Sequence, residues 1–250
     1  MTVLVLGGTG EARELARLLV AREVRVVSSL AGRVQRPQLP VGETRVGGFG
    51  GIEGMVAWLT AHSVRAVVDA THPFAVGITS NAVAATTQAG VPLLRLERPG
   101  WSQTPGADRW HWVDDADEAA ALTASLGTRP FLTVGRQSLS RFVGPLAEAA
   151  ALVRVVDPPE IALPPGWRVL LDRGPYLLEG ELDLMREQAA DVLVTKDSGG
   201  SLTRPKLDAA DQLGLAVVVI RRTPPSGTGT TEVVSDATAA ADWVARRLPR

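Results

Sequence analysis

The sequence of 250 residues predicts an α/β protein with two Rossmann-like, doubly wound parallel-sheet domains and a cleft between them. Short aliphatic runs alternate with segments whose apolar residues recur at helical spacing, which is typical of repeated β-α-β units. The alternation stops once, in a segment rich in proline, glycine and polar residues at 96–110, and then resumes. We therefore expect residues 1–97 to form one domain and residues 98–250 the other.

The chain opens with a strand, a glycine-rich turn and an amphipathic helix. Residues 3–6 are aliphatic, and apolar residues recur at helical spacing from Ala12 to Leu19. Such a turn can bring backbone N–H groups at a helix start close to a dinucleotide pyrophosphate. The fingerprint G-x-G-x-x-G is incomplete because Arg13 replaces the third small residue, so a merely tight turn is the alternative. The residues predicted to bind the cofactor here are Gly7, Gly8, Thr9, Gly10 and Glu11.

The second predicted strand, 24–29, ends in Ser28 and Ser29, where an NAD-binding fold usually has an acidic residue for the ribose. Arg33 follows four residues after Ser29. A carboxylate would repel a 2′-phosphate, whereas hydroxyls and a guanidinium would bind it. The pattern therefore favours NADP(H) over NAD(H), and a solvated arginine beside a serine-rich turn is the alternative.

Two later loops of the first domain are further candidates for cofactor contacts. The glycine-rich segment 47–51 permits close approach of a ligand at Gly48, although a flexible corner has the same composition. The residues after the strand 64–69, at the edge where a nicotinamide would lie, are Thr71, His72, Pro73 and Phe74. His72 is the candidate for proton transfer, but a lone histidine more often shapes a pocket.

The remaining strands and helices are predicted from the same two periodicities. The other predicted strands lie at 91–96 in the first domain and near 130–134, 151–156, 168–172, 191–195 and 215–220 in the second. The predicted helices of the second domain lie near 115–126, 177–189, 205–213 and 236–248. The last of these has an apolar face and two arginines in its final turn, as expected for a closing helix.

Basic residues near strand ends of the second domain predict a binding site for an anion. A Ser-Gly-Gly turn lies between Lys196 and Lys206, and backbone donors combined with such charges suit phosphate or carboxylate. A capped helix with exposed lysines is the alternative. The residues predicted to bind a substrate are Arg136, Gln137, Ser138, Arg154, Arg173, Lys196, Ser198, Gly199, Gly200 and Lys206.

Composition limits the kinds of partner. The formal net charge is −1, from 26 basic and 27 acidic residues, so neither a nucleic acid nor an anionic membrane is an expected partner. The absence of cysteine and the presence of only three scattered histidines argue against a metal site. No apolar run approaches the roughly 20 residues that span a bilayer, and we expect a cytoplasmic protein without a leader segment.

Five motifs together resemble the precorrin-6A reductase family of cobalamin biosynthesis. They are GGTGEARELA (7–16), SSLAGR (28–33), THPFA (71–75), GRQ (135–137) and TKDSGG (195–200), the last followed by Lys206. The resemblance implies NADPH-dependent reduction of precorrin-6A to precorrin-6B by hydride transfer to a ring carbon. It also implies that the acetate and propionate arms of a tetrapyrrole occupy the basic site. Residues 201–205, between the glycines and Lys206, depart from the pattern of some family members.

Two other functions remain open from the residues alone. One is a reductase that uses NADP on a smaller anionic substrate. A Tyr-x-x-x-Lys pair is absent, because the only tyrosine is Tyr176 and Gly180 stands at the lysine position. The other is a module that binds NADP as a sensor without catalysis.

Overall fold

The computed structural model describes residues 2–32, 38–224, 226–227, 229 and 231–248. The chain divides into two compact units: one runs to Arg98 and resumes at Thr223, and the other comprises Pro99–Arg222. Each unit contains one six-stranded sheet in which every strand pairing is parallel. The predicted fold class, α/β with two doubly wound parallel sheets, is confirmed.

The first unit has six strands and four helices among its described residues. Its strands are β1 (Thr2–Leu6), β2 (Arg25–Leu30), β3 (Glu43–Val46), β4 (Val64–Asp69), β5 (Leu93–Leu96) and β12 (Glu232–Val234). Its helices are α1 (Gly10–Ala21), α2 (Gly51–Ala61), α3 (Val76–Ala89) and α8 (Ala237–Arg247). The strand order is β12-β5-β4-β1-β2-β3, so β1 and β4 are central neighbours.

Every side chain of β1 is buried because helices cover both faces of the sheet. Val3 and Val5 lie in the cluster that contains buried residues of α1 and α8, whereas Leu4 and Leu6 lie in the cluster with α2 and α3. A strand covered on both faces has a continuous apolar run instead of alternating polarity. The uninterrupted run at the start of the chain therefore reflects its central position.

The second unit repeats this plan with different connections. Its strands are β6 (His111–Val113), β7 (Pro130–Thr133), β8 (Leu152–Val155), β9 (Arg168–Leu171), β10 (Val192–Lys196) and β11 (Ala216–Ile220). Its helices are α4 (Ala116–Leu126), α5 (Ser140–Val143), α6 (Leu178–Glu187) and α7 (Pro205–Gln212). The strand order is β6-β11-β10-β7-β8-β9.

The C-terminal segment differs from the sequence expectation, which placed residues 98–250 in one domain. Strand β12 pairs with β5, with Glu232 opposite Leu94, and Trp243 of α8 is buried in the core of the first unit. The chain thus returns to the unit in which it began. A helix with one apolar face suits either core, so its local pattern does not identify the sheet that it covers.

The parallel arrangement determines where each unit can bind ligands. In the first unit, the loops after β1, β4 and β5 all emerge at the carboxyl edge of the sheet, where open α/β sheets bind ligands. In the second unit, the loops after β7, β8, β9 and β10 share the corresponding edge. Of the described helices, none is long and apolar enough to cross a membrane.

Candidate functional site

The glycine turn after β1 packs directly against the loop after β4. Gly7 has a φ of +115°, and a Cβ atom there would lie 2.7 Å from the Ala70 carbonyl oxygen. The two loops are further joined by hydrogen bonds from Ala70 N to Leu6 O (2.9 Å) and from Thr9 Oγ1 to Ala70 O (2.9 Å). Glycine is therefore required at position 7 because the chain's own backbone occupies the space.

Helix α1 begins at Gly10, immediately after this turn. Thr9 is its N-cap, and its hydroxyl oxygen accepts a hydrogen bond from Ala12 N at 3.1 Å. The N–H groups of a first helical turn have no carbonyl partner within the helix, so those at Gly10 and Glu11 are suited to an anion. The Glu11 carboxylate is paired with Arg98 at 2.7 Å, which offsets its negative charge beside that position.

Arg13 explains the incomplete glycine fingerprint. Its Nη1 atom donates a hydrogen bond to the Gly8 carbonyl oxygen at 2.8 Å, so the guanidinium folds back over the turn. A small residue at this position would lack that cation. The departure from the fingerprint therefore adds a positive charge at the predicted pyrophosphate position.

The two serines at the end of β2 have different environments. Ser28 is 1% exposed, and its hydroxyl has no hydrogen-bond partner among the described residues. Ser29 accepts a hydrogen bond from Arg45 Nη1 at 2.8 Å. The structure thus places Ser28 in the interior and only Ser29 beside a cation, while Arg33 lies outside the described residues.

Arg45 is a functional candidate that the sequence analysis missed. It stands opposite Ser29 in the register of β2 and β3. Its guanidinium donates to the carbonyl oxygens of Gly47 and Gly48, both at 3.0 Å, and lies 3.8 Å from the centre of the Phe49 ring. Partial burial lowers the pKa of Arg45, but the side chain is cationic at neutral pH.

Gly48 itself is exposed, and a Cβ atom there would have no neighbour within 4 Å. Its carbonyl oxygen accepts a hydrogen bond from Arg45 Nη2. The sequence contains a signal for Arg45, because this arginine lies two residues before the glycine-rich segment 47–51. The pairing of Arg45 with Ser29 of β2 could not be predicted from the sequence.

The loop after β4 is a compact turn. Phe74 N donates to His72 Nδ1 at 3.2 Å, and Ala75 N donates to the His72 carbonyl oxygen at 2.8 Å. When Nδ1 of a neutral imidazole is the acceptor, the ring proton is on Nε2. Pro73 is buried, and the other three residues of the turn are partly buried.

A small, partly open cavity lies at the carboxyl edge of the first sheet. It joins the glycine turn, the loop after β4 and the end of β5. Its lining residues are Thr9, Glu11, Ala70, Thr71, Pro73, Leu96, Glu97 and Arg98. The cavity therefore brings together Thr9 and Glu11 of the predicted pyrophosphate residues with Thr71 and Pro73 of the predicted nicotinamide residues. It adds Arg98, which the sequence analysis did not select, whereas His72 and Phe74 are not among its lining residues.

In the second unit, three of the predicted substrate residues lie on a short 3₁₀ turn after β7, Arg136–Ser138. Arg136 is paired with the exposed Glu160 at 2.9 Å. Lys196, the last residue of β10, is partly buried, and this burial lowers the pKa of its ammonium group. Ser198 is partly exposed, and its N–H group donates to the Lys196 carbonyl oxygen at 2.6 Å.

Arg154 has an internal role that differs from the expected one. Its side chain is 4% exposed and forms two hydrogen bonds with the Glu181 carboxylate, which is 3% exposed. The guanidinium also lies 3.7 Å from the centre of the Tyr176 ring. Arg173, by contrast, is partly exposed in the loop after β9. A substrate carboxylate would have to replace a buried ion pair to reach Arg154.

The Ser-Gly-Gly turn is held by a neighbouring segment of its own unit. Gly199 has a φ of +67°, and a Cβ atom there would collide with the Pro99 carbonyl oxygen. Asp197 accepts a hydrogen bond from Trp101 N at 2.8 Å, and Trp101 Nε1 donates to Gly200 O at 3.2 Å. The glycines therefore serve the packing of residues 99–101.

Lys206 also differs from the expectation of an anion-binding cation. It is 4% exposed, its ammonium donates to the Thr203 carbonyl oxygen at 3.0 Å, and it lies 5.1 Å from the centre of the Trp101 ring. The intervening residues 201–205 turn this lysine into the core. Of the two predicted lysines, only Lys196 lies at the strand edge where ligands bind.

Comparison with known proteins identifies the family of this chain. The family model described as "Precorrin-6x reductase CbiJ/CobK" matches residues 2–245. The chain belongs to this family. It is a reductase, so the prediction of an enzyme of this class is confirmed.

Relatives of the precorrin-6x reductase family match over nearly the whole chain. A protein of Rhodococcus erythropolis named precorrin-6A reductase is 52% identical over 97% of this chain and 96% of its own length. One of the same name from Mycobacterium tuberculosis is 48% identical over 97% of both chains. The solved structure titled "CobK precorrin-6A reductase" has a TM-score of 0.91 and 39% identity, and covers 99% of this chain and 97% of its own.

Proposed function

We propose that this chain catalyses the reduction of precorrin-6A to precorrin-6B in cobalamin biosynthesis, with NADPH as the hydride donor. The observation that carries the proposal is the family match over residues 2–245 together with relatives of that name at 52% and 48% identity. Net reduction of a substrate requires an electron donor, and a nicotinamide cofactor suits the first unit. The choice of NADPH rests on the residues at its carboxyl edge.

The first unit fits such a cofactor at three points. The start of α1 offers N–H groups, and Arg13 adds a cation beside Gly8. The loop after β4 and the small cavity beside it lie at the carboxyl edge of the sheet, where the nicotinamide is expected. Pyrophosphate oxygens would accept hydrogen bonds from the helix start. The paired Glu11 and Arg98 would keep the rim of the cavity close to neutral.

Selectivity for NADPH is attributed to Ser29 and Arg45, with Arg33 as a further contact. The described end of β2 has no carboxylate that would repel a 2′-phosphate. Arg45 already has a hydroxyl partner in Ser29 and an aromatic support in Phe49, so little ordering is needed on binding. A charge-assisted hydrogen bond of about 1.5–3 kcal/mol would favour NADPH roughly 10- to 150-fold.

The carboxylate arms of the substrate are assigned to the second unit. The candidate contacts are the side chains of Arg136, Arg173, Lys196 and Ser198 and the exposed Gln137, all at the carboxyl edge of the second sheet. A tetrapyrrole carries several carboxylates, and each charge-assisted contact adds affinity and fixes the ring's orientation. Arg154 and Lys206 are left out because their side chains are buried.

We attribute catalysis mainly to the alignment of the cofactor with the substrate. NADPH supplies the hydride when bound, and the protein orients donor and acceptor carbons. Alignment at about 3–3.5 Å can account for roughly 7–11 kcal/mol of a barrier. His72, whose Nδ1 already accepts a hydrogen bond from Phe74 N, would present Nε2–H and shape the turn, and water would supply the proton.

The test is a turnover assay with purified protein, NADPH and precorrin-6A, in which nicotinamide absorbance and the tetrapyrrole spectrum are followed together. We expect one equivalent of NADPH to be oxidised for each precorrin-6B formed, and much slower turnover with NADH. Binding of NADPH without oxidation would favour the sensor. Oxidation only with a smaller anionic substrate would favour the other reductase.

Cofactor selectivity is tested by Arg45→Met. We expect the KM for NADPH to rise about tenfold and the KM for NADH to change little, because one charge-assisted contact is lost. Arg65→Met, which removes an exposed arginine of β4, is the matched control and should leave both values unchanged. Equal effects of Arg45→Met on the two cofactors would remove Arg45 from the 2′-phosphate site.

A further inference from the structure

An ion pair is buried beneath the cavity of the first unit. Arg95 of β5 and Asp69 of β4 have side chains that are 5% and 1% exposed, and Arg95 Nη1 lies 2.9 Å from Asp69 Oδ2. Burial of two charges is costly, and an apolar pair of similar volume is often at least as stable. Stability alone therefore gives little reason for these two residues at the ends of neighbouring strands.

The pair holds the first residue of the loop after β4. Thr71 Oγ1 donates to Asp69 Oδ1 at 2.7 Å and accepts a hydrogen bond from Arg95 Nη1 at 3.0 Å. Thr71 N also donates to Asp69 Oδ1 at 3.0 Å. The threonine hydroxyl has one proton, and Asp69 already accepts it, so Thr71 is an anchor of the loop and cannot donate that proton to a ligand.

The same loop is held from the opposite side by the glycine turn. The Ala70 carbonyl oxygen accepts a hydrogen bond from Thr9 Oγ1, and the space beside Gly7 is filled by Ala70 and Thr71. Arg95 Nε is in turn bound by Glu97 Oε2 at 2.9 Å, and Glu97 lines the cavity. The buried pair thus connects the cavity wall to the turn that begins at Thr71.

We propose that Asp69 and Arg95 are positioning residues, which act through Thr71 to hold the turn of residues 71–74 against the nicotinamide half of the cofactor. This inference rests on the proposed function. Ser29 and Arg45, to which the 2′-phosphate is assigned, lie on β2 and β3, which β1 separates from β4 and β5 in the sheet. Loss of Asp69 or Arg95 should therefore affect the two halves of the cofactor unequally.

The experiment measures binding of two ligands by isothermal titration calorimetry to the full chain. NADPH contains both halves, whereas adenosine 2′,5′-bisphosphate contains only the adenine half and its phosphates. For Arg95→Met we expect NADPH to bind about tenfold more weakly and the bisphosphate to change by less than about twofold. Arg95→Lys, which retains the positive charge, should recover part of the NADPH affinity.

Arg25→Met is the matched control, because Arg25 forms an exposed pair with Glu43 in the same sheet, at 3.2 Å. It should leave both affinities unchanged. If Arg95→Met does not fold, Thr71→Val removes the anchored hydroxyl at nearly constant volume, and the same unequal loss is expected. Equal weakening of both ligands, or no weakening of NADPH, in a folded variant would overturn the proposal.

The experiment distinguishes failure of this inference from failure of the proposed function. If wild-type protein binds neither ligand, the assignment of the cofactor fails and with it the basis of this inference. If wild-type protein binds both ligands and turns over precorrin-6A while Arg95→Met retains its NADPH affinity, only the positioning role is lost. A selective fall in NADPH affinity would support both.

Discussion

Two glycine-containing turns of this protein, at residues 7–10 and 198–200, follow buried parallel strands, yet they present different surfaces. The turn at residues 7–10 leads directly into α1, so N–H groups of the helix start are left at the sheet edge. The turn at 198–200 is followed by residues 201–204 before α7 begins at Pro205, and it packs against residues 99–101. Only the first has the geometry of a helix-start anion site.

The difference extends to the charged residues around each turn. Near the first turn, Arg13 and Arg45 hold backbone carbonyl groups at the sheet edge. In the second unit, Arg154 and Lys206 point into the core, where they contact Glu181, Tyr176 and Trp101. The number of basic residues in a segment is therefore a poor measure of the charge available to a ligand.

The largest effect is expected for Glu181→Ala, which tests whether Arg154 is structural. Removal of one partner leaves a buried, unpaired charge, so the free energy of unfolding should fall by about 3–5 kcal/mol in urea denaturation. Glu187→Ala, which breaks the exposed pair with Arg168 in the same unit, is the control and should cost less than about 1 kcal/mol. If Glu181→Ala instead tightened substrate binding with little loss of stability, Arg154 would belong to the substrate site.

A smaller loss of stability is expected for Gly7→Ala. The positive φ and the close Ala70 carbonyl should together cost about 2–4 kcal/mol, again measured by urea denaturation, and NADPH affinity should fall with the displaced loop. Gly48→Ala is matched to it, because a Cβ atom there meets open space. An unchanged stability of Gly7→Ala would mean that the two loops are not packed as described.

Substitutions of the two lysines near the second turn are expected to have different effects: that of Lys196 on substrate binding, and that of Lys206 on stability. Lys196→Met should raise the KM for precorrin-6A by about tenfold with the NADPH affinity retained. Lys206→Met should leave that KM within about twofold and lower the stability by roughly 1 kcal/mol, since it removes one internal hydrogen bond. The reverse pattern would assign the anion site to the buried lysine.

The smallest effect is a pH dependence of stability due to Lys196. Burial lowers its pKa below 10.5 in the folded chain, so the unfolded chain binds more protons between the two pKa values. Stability of the wild type should therefore rise, relative to Lys196→Met, as the pH increases through that window. Urea denaturation of both proteins from pH 7 to about pH 10 measures the difference, and a fall with increasing pH would contradict the assigned burial.

Much of the fold could be predicted because helical and strand periodicities are local. The glycine turn, the first helix and the alternation of elements follow from residues close in sequence, and the motif order was sufficient to indicate the family. The unit that the last segment joins could not be predicted from local periodicity. Strand β12 is paired with β5 across more than 130 residues of chain, and its sequence does not specify that partner.

The sequence was equally insufficient to predict which side chains of the candidate site are available to a ligand. By itself, the sequence determined the fold class, the cofactor-type turn and the presence of many cations near strand ends. Tertiary structure alone decided which charges remain at the sheet edge, because pairing partners such as Glu181 for Arg154 and Asp69 for Arg95 come from other elements. Burial and pairing depend on neighbours in space, whereas periodicity depends on neighbours in the chain.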